Sequence, residues 1–258
     1  MMRRSLLLAF VSTFAVASVA LAATGGKEPK EPKATLVQAV SQTNHAASVH
    51  YVMQIAVAHV HHPSLKLDVQ GARGTGSLFI HVRAFTSLVN DGPADTAGPA
   101  QSAFIYGPFL YEGSPNGVAV AGKIRWLRVP LARPDTAHAI AAMHNMSPAP
   151  LLRILDEWSN ARSHASGGGF HGRVAYDDPI VLTALSGMTG GTEFRHVFFS
   201  AKIGDDGYVH SIRVTGATAD GTKSVIVTAR LFGFGRPVRV TPPREGTFID
   251  QKLLSLAA

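Results

Sequence analysis

From Val49 the chain alternates strictly. Val49, Tyr51, Met53, Ile55 and Val57 fall on one side of an extended segment, with His50 and Gln54 on the other. A period of two predicts a strand with one buried face. The same alternation recurs in Leu65, Leu67 and Val69 and in Leu78, Ile80 and Val82, with shorter β segments around "AFIYG", "PFLYE" and "KIRWLRV". Just upstream, "TLVQAVSQTNHA" has the helical period instead. Leu36, Val37 and Val40 share a face, and Thr35 and Gln38 stand at capping-box spacing, which predicts a short amphipathic helix beginning there.

The middle of the chain is helical. Asp135 and Ser147 are predicted N-caps, the second followed by Pro148 at a position that tolerates proline, and Leu151, Leu152, Leu155 and Trp158 share one face of "PLLRILDEWSNA". After "SGGG" comes a strand, "FHGRVAY", then Asp178-Pro179 and a short helix ending near Gly190-Gly191. The last third reads as a β-meander. "EFRHVFFSAKI", "YVHSIRVTG" and "KSVIVTARLFG" are joined by Asp205-Asp206-Gly207 and Asp220-Gly221, residues suited to tight turns.

Helix, antiparallel strands, helical insertion and closing meander make an α+β fold. Its apolar face exceeds what so few helices cover by close packing, so the sheet closes on itself or curls around something. His50, Gln54, Lys66, Asp68, Gln70, Arg213 and Lys223 are assigned to the opposite, wetted face. The apolar side is then a candidate ligand cavity.

The first residues bear on location. "MMRR" is a basic start, "SLLLAFVSTFAVASVALA" an uncharged apolar run, and Ala20-Leu21-Ala22 a small-x-small cleavage pattern. The expectation is export with cleavage, residues 1–23 forming a signal peptide; an uncleaved anchor is the alternative. "KEPKEPK" within 24–33 is a charged, proline-punctuated tether, and 34–258 is read as one domain. The whole chain has 24 Lys and Arg against 17 Asp and Glu, and removal of Arg3 and Arg4 leaves it near +5. That balance suits an anionic membrane surface. No dense basic stripe with interleaved aromatics points to nucleic acid. The absence of cysteine excludes disulfides, thiolate metal sites and cysteine nucleophiles.

No enzyme signature emerges. His59 and His61, with His62, form the sharpest cluster, and a pair at i and i+2 can chelate zinc. Further ligands are wanting nearby, so the end of a solvated strand running into Pro63 competes with a metal site. "GARGTGS" lacks the Gly-Lys-Ser/Thr ending of a phosphate loop and opens a strand. No serine sits in Gly-x-Ser-x-Gly, and no two carboxylates are placed to face each other across a cleft. In "RWLR", Trp126 and Arg128 share one strand face. Either Trp126 packs near a sheet edge with Arg128 reaching to water, or it lines an acyl-chain cavity with Arg128 at the rim.

The stretch "FGRPVRVTPP", Phe234 to Pro243, closes the meander and precedes a short tail containing acidic residues. Together with "IRWLRVPL" ahead of "PLLRILDE", and with the hairpin "IGDDGYVHSIRVTG", it resembles the LppX/LprG/LprA-type lipid-binding lipoproteins of actinobacteria and relatives, over about 34–258. That family is similar in fold to the LolA/LolB carriers. The resemblance implies a strongly curved antiparallel β-sheet, a half-barrel with helices covering the open side, whose apolar cavity accepts acyl chains without a cofactor. One departure is chemical. The lipobox position reads Leu21-Ala22-Ala23-Thr24 where the family has cysteine, so thioether lipidation through Cys is impossible.

The expectation is therefore an exported, extracytoplasmic, monomeric binding protein, not an enzyme, that sequesters or carries a lipid or other amphiphile. A membrane transporter or a membrane surface is its expected partner, and nucleic acid is not. The expected cavity lining is Tyr51, Met53, Ile55, Val57, Ile80, Val82, Trp126, Phe199, Ile212, Val214, Val225 and Val227. A half-barrel filled by its own side chains, Phe194, Phe198 and Phe199 among them, is the alternative.

Overall fold

The computed structural model describes residues 32–59, 64–74, 77–87, 96–97, 101–113, 126–134, 136–156, 162–163, 169–174, 185 and 194–250. The expected signal segment, the tether up to residue 31, Pro63, Asp135, Trp158 and the helix expected after Pro179 (apart from Leu185) lie outside them. Among the described residues there are three helices: α1 (Pro32–His45), α2 (Thr136–Asn145) and α3 (Ala149–Asp156). None is long and apolar enough to cross a membrane.

The strands are β1 (Ser48–His59), β2 (Ser64–Gly74), β3 (Ser77–Ser87), β4 (Thr96–Ala97), β5 (Gln101–Tyr106), β6 (Phe109–Gly113), β7 (Trp126–Pro130), β8 (Arg162–Ser163), β9 (Gly169–Val174), β10 (His196–Ile203), β11 (Val209–Ala217), β12 (Lys223–Phe232) and β13 (Phe248–Asp250). They form one sheet in the order β13-β7-β6-β5-β3-β2-β1-β12-β11-β10-β9-β8, with β4 beside β3. Every pairing is antiparallel except that of β13 with β7.

Twelve strands in line at about 4.8 Å would make a flat sheet about 50 Å wide. Yet residues from β9 (Phe170, Val174) to β7 (Val129) join one core cluster with Leu36 and Val40 of α1 and Leu151, Leu152, Ile154 and Leu155 of α3. Helices of 14 and 8 residues reach that whole face only if the sheet curls around them. The fold is accordingly α+β, a curved antiparallel half-barrel with helices in its concavity.

Register explains the curl locally. Val57, Ile55, Met53 and Tyr51 pair with Val225, Val227, Ala229 and Leu231 on one flank, and together with Val49 they pair with Leu65, Leu67, Val69, Gly71 and Arg73 on the other, so one concave face runs unbroken. The turns form as their sequences require, with Gly207 at φ +79° and Gly221 at φ +69°, conformations that a β-carbon disfavours. The first of these turns also holds α1. The Thr43 hydroxyl donates to Ala39 O (2.7 Å) and accepts from the Val209 amide (2.9 Å), and Gln42 Nε2 donates to Asp206 O (3.1 Å).

Two local expectations need correction. Helix α1 begins at Pro32, so Thr35 lies inside it and caps nothing; proline is tolerated in a first turn, where the amide has no intrahelical partner anyway. Lys223 pairs with His59 in the row beyond Val57 and Val225, which puts it on the concave side at the strand's end, opposite to the wetted face assigned to it. The Ser147 cap does form, its hydroxyl accepting from the Ala149 amide at 3.3 Å.

Candidate functional site

Of the twelve residues expected to line a cavity, ten are buried in the core: Tyr51, Met53, Ile55, Val57, Ile80, Phe199, Ile212, Val214, Val225 and Val227. They face the concavity, and α1 and α3 share their cluster. Val82 also faces inward and is half-buried. Trp126 does not join them. Successive pairings carry the inward face from Ile80 through Ala103 and Glu112 to Leu127, so Trp126 and Arg128 point to the convex side. The strand is short, and no pattern within "WLRVP" distinguishes its two faces.

The concave face is not covered evenly. Val49 to Val57 of β1, Val197 to Ala201 of β10, Val209 to Val214 of β11 and Val225 to Leu231 of β12 are buried along their inner faces, whereas Leu67, Val82, Ala103 and Leu127 are only partly buried and Leu65 is 39% exposed. These residues make an apolar tract on the concave side of β2, β3, β5 and β7. Within it stands Glu112, between Ala103 and Leu127. Burial pushes its carboxyl pKa up. Ala103, Glu112 and Leu127 were missed by pattern reading, because β5, β6 and β7 are too short to assign a face without their neighbours.

A second polar group lies in the apolar interior. Tyr51 is 1% exposed and its hydroxyl has no hydrogen-bond partner. Desolvation raises its pKa, opposed in part by Arg73. The ring lies over Gly71, where a β-carbon would overlap it and would also come within 2.7 Å of Phe79 O.

The convex side carries a separate groove of about 480 Å³, lined by Phe79, Phe104, Trp126, Phe232, Val238 and Val240 among others. Its roof is the proline-rich stretch. After β12, Gly233 and Gly235 turn the chain at φ +64° and +72°. The Gly235 amide donates to Ser48 O (3.1 Å), the Ser48 hydroxyl donates to Arg236 O, and Phe234 stacks on Tyr208 at 4.3 Å. The strap then crosses from β12 to the far edge, passing Val238 beside Gly74, and pairs as β13 with β7. Prolines suit a segment that supplies no ladder of amide donors on the way. At its end Asp250 takes a two-pronged ion pair from Arg128 (2.6 and 2.7 Å), and the guanidinium lies 4.7 Å from the Phe109 ring centroid and 4.3 Å from that of Phe248. Trp126 packs edge-on against Phe104 at 5.0 Å. Arg128 is therefore a clamp for the strap.

Among the described residues no group of three or more His, Cys, Asp or Glu is placed to hold a metal. His61 and the side chain of His59 lie outside them.

No protein-family model matches the chain, and no curated protein matches it. Among solved structures the half-barrel is similar to LprF from Mycobacterium bovis, at 16% identity over 82% of this chain and 96% of that one, with a TM-score of 0.46. It is also similar to the lipoprotein LppX from Mycobacterium tuberculosis (12% identity, 81% and 98% covered, TM-score 0.40) and to a LolA superfamily protein from Nitrosomonas europaea (10% identity, 82% and 94% covered, TM-score 0.31).

Proposed function

We propose that the chain is an exported, non-enzymatic binding protein of the cell envelope that holds a lipid or other amphiphile against the concave face of its half-barrel. One observation carries this reading: the apolar tract formed by Leu65, Leu67, Val82, Ala103 and Leu127 is left half-covered beside the buried inner residues of β1, β11 and β12. Apolar surface facing a concavity is stabilised by an acyl chain lying on it. Each methylene removed from water contributes about 0.8 kcal/mol, so one long chain gains on the order of 10 kcal/mol before its lost freedom is subtracted. The carboxyl of Glu112, standing within the tract, gives the same concavity a polar group able to meet the polar part of an amphiphile.

A second reading has its own support. Ten of the twelve expected lining residues are fully engaged with each other and the helices, as in a half-barrel filled by its own side chains. Titration with a fluorescent acyl-lipid probe separates the two. Leu127→Arg places a guanidinium in the tract, where it must be desolvated or draw water in, and abolishes binding. Gln54→Arg, on the exposed convex face, leaves binding unchanged. A folded wild-type protein that binds no probe supports the filled version.

The small-x-small pattern Ala20-Leu21-Ala22 and the Thr24 at the lipobox cysteine position support a leader that is cleaved and a chain released without a thioether anchor. Thr24→Cys is expected to make the chain a lipidation substrate that partitions to membranes in a competent host, while the native chain does not. Equal retention of both, leader attached, means that the apolar run is an anchor.

A further inference from the structure

Strands β9 to β12 contain no aspartate or glutamate, yet carry Arg173, Lys202, Arg213, Lys223 and Arg230. Register puts four of these cations on the convex face: Arg173 pairs with Phe198, and Lys202, Arg213 and Arg230 gather in the rows beside it. Lys202, Ser211 and Arg230 form one cross-strand row, and Ser200, Arg213 and Thr228 form the next. With strands about 4.8 Å apart, Lys202 and Arg230 stand about 10 Å from each other and Arg213 rises from the strand between. The three cations are exposed, and with the three hydroxyls they line a depression of about 440 Å³. An adjoining hollow of about 1120 Å³ shares Lys202, Ser211 and Arg230 and has Asp205, from the β10–β11 turn, in its wall.

The same face exposes apolar side chains on both flanks of the cations. In the row beyond Ser200, Phe198 is 49% and Ile226 38% exposed. On the other flank Val52, paired directly with Arg230, is 39% exposed, and Phe232 47%. Clustered like charges repel and help no fold, and exposed phenylalanine gains nothing from water. Both are relieved together where negative headgroups overlie hydrocarbon. A groove tracking a nucleic-acid backbone would instead need a longer basic stripe with stacking aromatics.

We propose that the convex face of β10, β11 and β12 docks on an anionic phospholipid bilayer. Lys202, Arg213 and Arg230 take headgroup phosphates, Ser200, Ser211 and Thr228 donate to the same oxygens, and Phe198 and Ile226 settle at the headgroup–acyl boundary. This docking is independent of whether the concave face holds a cargo.

The test is cosedimentation of protein recovered from an exporting host, with and without prior delipidation, with phosphatidylcholine vesicles that do or do not contain phosphatidylglycerol. Partition is expected only with phosphatidylglycerol, and added salt should weaken it. A triple variant, Lys202→Gln, Arg213→Gln and Arg230→Gln, loses about fivefold per cation, or about a hundredfold in all. A second triple variant removes the same charge from the exposed strap residues Arg236, Arg239 and Arg244 and keeps wild-type partition. Equal loss in both variants reduces the effect to net charge and overturns the proposal. So does indifference to phosphatidylglycerol, or binding to heparin with none to vesicles, which assigns the face to a soluble polyanion. Cargo binding does not enter the readout, so failure here leaves the concave-face reading standing.

Discussion

Replacing Tyr51 with phenylalanine should stabilise the empty protein, the reverse of the usual result for a buried tyrosine. The side chain is 1% exposed and its hydroxyl has no partner, so folding strips that hydroxyl of water and returns nothing. An unsatisfied buried polar group costs about 1–3 kcal/mol, whereas a satisfied one contributes about 1 kcal/mol. Tyr51→Phe keeps the ring over Gly71 and deletes one oxygen, leaving a void too small to offset much of that gain. We expect about 1 kcal/mol of stabilisation, or about 2–4 °C in Tm for a domain of this size, read by urea and thermal unfolding of delipidated protein. A loss of 1 kcal/mol or more in the empty protein would refute the reasoning, because it would mean that the hydroxyl is satisfied there, for instance by a buried water.

Met53 is fully buried between Val69 and Ala229, so Met53→Ala should cost about 2–5 kcal/mol in urea unfolding, whereas Gln54→Ala, one residue on and exposed, should change stability by less than about 0.5 kcal/mol. Burial holds the folded pKa of Glu112 above its unfolded value, so the native state is penalised while the carboxyl is ionised and recovers as pH falls through that raised value. Glu112→Gln should therefore stabilise at pH 7, with the advantage fading towards the unfolded carboxyl range near pH 4.3; urea midpoints at both ends check it, and a constant difference contradicts it. Arg128→Lys keeps the charge but loses the fork to Asp250 and the stacking between Phe109 and Phe248, and should weaken the strap's anchorage by about 1 kcal/mol, seen as faster limited proteolysis around Arg244.

The central strands were legible because burial on one face imposes period two, and β1, β10, β11 and β12 are long enough to display it. The two meander turns were legible because Gly207 and Gly221 have local requirements. What failed depended on pairing between distant strands. The face of Trp126 is fixed only by register passing from β3 through β5 and β6 to β7, and a five-residue strand carries no such information. Lys223 was misassigned because polarity alone predicts an outward direction, yet at a strand's end the inner row also reaches water. The partners of Trp126 are Phe104 and the strap groove. "FGRPVRVTPP" advertised an unusual ending without revealing its course, since its purchase on Ser48 and Gly74 depends on contacts far away in sequence. The site changed for a related reason. Hydrophobicity identifies the inner face, but only packing separates its buried residues from the half-covered tract at Leu67, Val82, Ala103 and Leu127.

Native mass spectrometry of protein recovered from an exporting host, followed by organic extraction, tests the central claim most directly. A bound mass in the range of an acyl lipid is expected, released by solvent and lost in Leu127→Arg while Gln54→Arg retains it. A folded protein that is empty, and stays empty when offered phospholipid or triacylglycerol, would contradict it and leave a half-barrel filled by its own side chains.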